Sequence, residues 1–125
     1  MRSKEVKITM FTAFVIFTGL LAILVGCAKN NIYGEKVTVQ STTLIDDLIA
    51  KPQNFSGQTV KVEGQIIDEC PGGHWFHLKG NKEIIYVTLS GFTLPQKVGK
   101  TVIVEGNLVD NNGTPALLGR GVEIK

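Results

Sequence analysis

The run Glu69-Cys70-Pro-Gly-Gly-His-Trp-Phe-His77 gathers both histidines of the chain, its single tryptophan and one of its two cysteines. Thiolate sulfur and imidazole nitrogen are ligands for zinc or copper, and Cys70 and His74 stand on either side of a Pro-Gly-Gly turn that can fold them around one ion. His77 is the third candidate ligand. If residues 74–79 form a strand, however, His74, Phe76 and Leu78 face one side and Trp75, His77 and Lys79 the other, so only a bulge at His74 would unite the two rings. Cys70 therefore keeps three open roles: a buried structural thiol, a metal ligand, or a thiol for intermolecular redox chemistry. His77 reads first as a solvated strand residue beside Lys79.

The same alternation suggests a second kind of chemistry. With Phe76, Leu78, Ile85, Val87 and Leu89 turned into a core, Trp75, His77 and Tyr86 share an outer face, where aromatic rings can stack on a flat ligand. The competing reading makes Trp75 a lid over the core beneath the N-terminal segment. Catalysis is not expected. No carboxylate pair, Ser-His-Asp set or phosphate-binding loop is visible, and Glu69 is the acid nearest a histidine. Asp68 and Asp110 recur at equivalent strand ends, which points to turn chemistry.

The elements that would carry these residues follow from periodicity. Period-two runs separated by turn residues predict five strands, at 59–68, 74–79, 83–89, 100–109 and 115–124. Two of them repeat: Gly57-Gln-Thr-Val-Lys-Val-Glu-Gly-Gln-Ile-Ile-Asp68 aligns without gaps to Gly99-Lys-Thr-Val-Ile-Val-Glu-Gly-Asn-Leu-Val-Asp110. In both copies the valines (Val60, Val62; Val102, Val104) point one way, and Thr59, Lys61 and Glu63 point the other. Gly64 and Gly106 interrupt their strands where a small sheet needs a bulge or bend to close. Ahead of the strands, Leu44, Ile45, Leu48 and Ile49 form one stripe of a short helix, with Thr43 as N-cap and Asp46 and Asp47 in its first turn, ended by Pro52. Residues 27–42 are polar and read as a tether, with Val37 and Val39 able to add an edge strand.

Five strands, with a longer helix-capable connection (Gly91 to Val98, broken by Pro95) between the third and fourth, give the element order of an all-β, five-stranded OB-fold Greek-key barrel over residues 43–125, with a short N-terminal helix. The repeated strands would be its first and fourth, which are neighbours in that topology. From about Leu44 onward the chain resembles the bacterial extracytoplasmic OB-fold proteins of the tRNA-anticodon-binding-domain-like group, whose functions are largely unassigned. Gly57-Gln-Thr-Val-Lys-Val-Glu-Gly64, Cys70-Pro-Gly-Gly-His-Trp75 and Gly99-Lys-Thr-Val-Ile-Val-Glu-Gly106 carry the resemblance. It implies a fold relationship rather than tRNA binding. Related sequences often carry a second Cys just before the Trp, where His74 stands here. A soft metal ligand tolerates that exchange, and it removes a disulfide.

The N-terminus supplies an address. Arg2, Lys4 and Lys7 precede an apolar stretch from Ile8 to Val25, and Leu24-Val25-Gly26-Cys27 resembles the bacterial lipobox, in which the cysteine is acylated and the chain is cut before it. Residues 1–26 are thus expected to be a lipoprotein signal peptide, with Cys27 the lipidation site. The competing reading is an uncleaved anchor, for which a run of roughly 18 apolar residues is near the lower limit. Both place the remainder on the extracytoplasmic side, in the cell envelope or periplasm. Three of the thirteen basic residues and one of the eleven acidic ones lie in this leader, which leaves ten of each and no net charge on the mature domain. A nucleic-acid partner is therefore not expected. The expected function is a membrane-tethered, noncatalytic binding module for an envelope protein or a small ligand, with no cofactor certain. The alternative is a metal- or haem-handling protein that uses zinc or copper donors at the Cys70–His74 turn.

Overall fold

Valine, isoleucine and phenylalanine at every second position make ribbons with one apolar face, and such ribbons become stable only when those faces meet. The computed structural model describes residues 31–125, so the signal segment 1–26 and Cys27 lie outside the described residues. Six strands are formed: β1 (Ile32–Gly34), β2 (Thr59–Glu69), β3 (Trp75–Lys79), β4 (Ile84–Leu89), β5 (Thr101–Asn111) and β6 (Thr114–Ile124). A helix, α1 (Ile45–Ala50), and a 3-10 turn (Pro52–Phe55) precede β2. The last five strands match the expected ones to within two residues at every end.

Those five close into a barrel. Strand β2 pairs with β3 and β5, β3 with β4, β4 with β6, and β6 with β5. The β4–β6 pair is parallel and the other pairs are antiparallel. This is the OB-fold topology, with the repeated strands β2 and β5 side by side. Val60, Val62, Ile66, Phe76, Leu78, Ile85, Val87, Val102, Val104, Leu117 and Val122 fill the interior, while Ile45 and Leu48 of α1 extend it. Gly64 lies where β2 exchanges β5 for β3, and Gly106 lies at a register shift between β5 and β6. Both glycines thus sit at the corners that closure requires.

Three expectations need correction. Residues 31–42 are not a free tether. Ile32–Gly34 pairs with β6, Thr42 and Thr43 join Lys61 of β2, and the amides of Thr38 and Val39 end on the carboxylate of Glu105. Val37 and Val39 form no strand, because the nearby acceptor is a side chain rather than a sheet edge. Thr43 does not cap the helix either: Leu44 occupies the N-cap without a side-chain bond. Asp46 accepts instead from the amides of Lys82 and Glu83 and so ties α1 to the β3–β4 turn.

The third correction concerns 91–98, which contains no helix. It runs as a strap against the β2–β3 turn. The Leu94 amide donates to the Gly73 carbonyl at 2.9 Å, the Gln96 side chain donates to the Cys70 carbonyl at 3.0 Å, and the Lys97 and Val98 amides donate to Glu69. Pro95 has no amide hydrogen for a helical turn.

Candidate ligand-binding face

Strand alternation sends Trp75 and His77 of β3 outward, while Phe76 and Leu78 between and beyond them are buried. On β4 the register sets Tyr86 opposite His77 and Thr88 opposite Trp75. The three rings consequently touch. Their centroids are 5.6 Å apart for Trp75 and His77, 5.8 Å for Trp75 and Tyr86, and 5.5 Å for His77 and Tyr86. Each is half-buried, so part of every ring remains open to solvent. Trp75 thus lies on the outer face of β3 against His77 and Tyr86.

A bulge then delivers a carboxylate to this face. In β2, Ile66 pairs with Leu78, but Asp68 rather than Ile67 pairs with His77, because the register shifts by one residue between Ile66 and Asp68. A regular strand would have turned Asp68 inward, toward the side of Ile66 and Phe76. With Ile67 bulged, both Ile67 and Asp68 are exposed. Asp68 Oδ1 lies 2.5 Å from His77 Nδ1. The acid that partners a histidine is thus Asp68, not Glu69, whose carboxylate is turned to the amides of the 91–98 strap. Asp110, the equivalent residue of the second copy, does serve a turn: it accepts the Gly113 amide at 2.9 Å. Sequence alternation could not have found the Asp68–His77 contact, because the bulge depends on the partner strand.

The proposed metal ligands separate into two places. Cys70 and His74 flank the turn closed by the Gly73 amide on the Cys70 carbonyl at 2.9 Å, and the Cys70 amide donates to the Trp75 carbonyl at 3.0 Å. A Cβ at Gly72 would stand 3.0 Å from His74 Cδ2 and 3.8 Å from Cys70 Sγ, so both side chains border that glycine. His77 belongs instead to the aromatic face. Among the described residues, no group of three or more His, Cys, Asp and Glu side chains is placed to hold a metal ion. The donor set at the turn is two, which does not fit a structural zinc or copper site. Cys70 is half-buried and has no disulfide partner among the described residues.

Elsewhere, a concavity of about 520 Å³ lies between the α1 and 3-10 region and the β5–β6 hairpin. Among the described residues, Asp110, already engaged with Gly113, is the one titratable group lining it.

Similarity to solved structures agrees with the barrel. The hypothetical protein YgiW from E. coli superposes with a TM-score of 0.54 at 13% identity, over 74% of this chain and 98% of that one. The tetrameric p202 HIN2 superposes with a TM-score of 0.50 at 16% identity, over 73% of this chain and 52% of that one. What is shared is the OB-fold. No family model and no curated protein matches the sequence.

Proposed function

We propose that this protein is a noncatalytic binding module, held at the extracytoplasmic face of a bacterial membrane by lipid on Cys27, whose ligand docks on the Trp75–His77–Tyr86 face. The observation that carries the reading is the mutual contact of three half-exposed rings on the outer surface of β3 and β4. Half-exposed aromatic area is costly to leave against water and is recovered when a ligand covers it. Similar barrels use this surface for oligomeric ligands. Tethering, envelope location and kinship with the anticodon-binding-domain-like group belong to the same proposal. They rest on Leu24-Val25-Gly26-Cys27 and on the three segments quoted above.

Trp75 is the only tryptophan, so its emission reports this face directly. Titrating the full chain with neutral oligosaccharides, oligonucleotides and peptides from candidate envelope partners should give a saturable change for one class. The same titration should be silent for ligands that dock elsewhere. If no class perturbs Trp75, the face is structural and the proposal fails. Metal or haem handling at the Cys70–His74 turn is the weaker reading, since that turn offers two donors.

A further inference from the structure

We infer that the ligand of this face is an uncharged carbohydrate, stacked on Trp75 with its edge against Tyr86 and hydrogen-bonded through its hydroxyls to the Asp68 carboxylate. The inference rests on the binding role proposed above and adds the chemical class.

Ring spacing decides the shape of the ligand. An aromatic cage for an ammonium group needs a gap between its walls, but centroid separations of 5.5 to 5.8 Å mean that these rings already contact one another. Their planes are inclined by 76° for Trp75 and His77, 58° for His77 and Tyr86 and 42° for Trp75 and Tyr86, so a flat molecule lies against one ring while its edge meets the next. Sugar rings and nucleobases both qualify. A pyranose presents a face of C–H bonds, weakly positive, to the negative face of an aromatic ring.

Charge and hydrogen bonding then separate the two. Asp68 sits at the edge of this face with its side chain 60% exposed. One oxygen receives His77, which holds the carboxylate in place and leaves the other oxygen free to accept hydroxyl protons. A phosphodiester brought to the same place would meet the like charge of Asp68. Lys79 is the nearest cation on this face of β3, one pleat beyond His77 and away from Trp75. The mature domain has no net charge with which to attract a polyanion. Hydroxyl donors suit a fixed carboxylate, whereas phosphates do not.

The test uses the full-length chain in a detergent without a sugar head group, titrated with cellohexaose, chitohexaose and the oligonucleotide dT12. Trp75 emission reads the wild type, and isothermal titration calorimetry reads the variants. At least one neutral hexasaccharide should bind saturably. Trp75→Ala and Tyr86→Ala should each weaken it tenfold or more, and Asp68→Asn should weaken it several-fold without changing the circular dichroism spectrum. Should Trp75→Ala fail to fold, Trp75→Phe keeps a smaller ring and should still lose affinity. If dT12 binds through Trp75 and the sugars do not, the binding face stands and the carbohydrate assignment is wrong. If no probe binds, or if sugar binding ignores Trp75, the carbohydrate assignment is wrong, and only a peptide that perturbs Trp75 would keep this face as a binding site.

Discussion

Val62 of β2 and Val104 of β5 are paired directly across the barrel wall, and they occupy the same position in the two copies of the repeat. A local two-fold axis therefore passes between them. Its consequence is seen in the glycines, because Gly64 lies opposite Val102 and Gly106 opposite Val60, the same glycine–valine pair on either side of the axis. The repeat is thus a paired structural unit of the barrel wall. It is not the start of a longer array.

The two glycines should tolerate side chains unequally. A Cβ at Gly64 would stand 2.6 Å from the Lys79 carbonyl oxygen and 2.8 Å from Leu78 Cγ, whereas at Gly106 it would stand 2.2 Å from the Leu118 carbonyl oxygen. Backbone cannot yield as a side chain can. Gly64→Val should destabilise the domain by about 1–3 kcal/mol, and Gly106→Val by more. Urea unfolding checks both, and equal, undiminished midpoints would mean that the strands pass each other with room to spare.

Glu105 should carry a pH-dependent share of stability. The residue is 1% exposed. Burial raises the pKa of its carboxyl, but the Val39 and Thr38 amides and the Arg120 guanidinium outweigh that and hold it below the ordinary glutamate value. A depressed carboxyl stabilises the fold fully above the unfolded-state pKa, about 4.3, and that contribution is lost as pH falls through the folded value. Glu105→Gln should cost about 1–3 kcal/mol near neutral pH and flatten the acid limb of the stability curve. Hydrogen exchange of the Thr38 and Val39 amides should quicken in the same variant. An unchanged acid limb would assign the loss of stability to other carboxylates.

Position 73 anchors the strap. Gly73 has φ +74°, and a Cβ there would lie 2.2 Å from the Leu94 carbonyl oxygen, while at Gly72 the nearest atom is the movable His74 ring at 3.0 Å. Gly73→Ala should therefore lower stability by about 1–3 kcal/mol and free Leu94, which is 2% exposed. Gly72→Ala should cost less. Thermal melting of the pair measures the difference, and matching melts would show that the strap is held by Gln96 and Glu69 alone.

The anchor is tested chemically. Cys27→Ser should abolish labelling with a fatty-acid analogue and leave an uncut precursor held by its apolar leader. Mass spectrometry of the wild-type N-terminus should find acyl groups on Cys27. A mature N-terminus without them would remove the tether from the proposed function.

Period-two alternation is a local property, and for that reason the strand positions, the inward valines and the outward set of Trp75, His77 and Tyr86 could be read from the sequence by itself. The element order, read as an OB-fold, also placed the two repeated strands β2 and β5 side by side. Other features were decided by contacts between residues far apart in the chain. Ile32–Gly34 is too short and ordinary to announce a strand, and becomes one because β6 offers it an edge. Glu63 and Glu105 are equivalent in the repeat, yet Glu63 is exposed and bonded to Lys125 while Glu105 is buried, because only β5 is covered by the Thr38–Val39 segment. Asp68 reaches His77 through a bulge that exists only in the pairing of β2 with β3. Alternation states which way a side chain points along a regular strand. Whether the strand stays regular, and what then covers it, is settled only when the barrel closes.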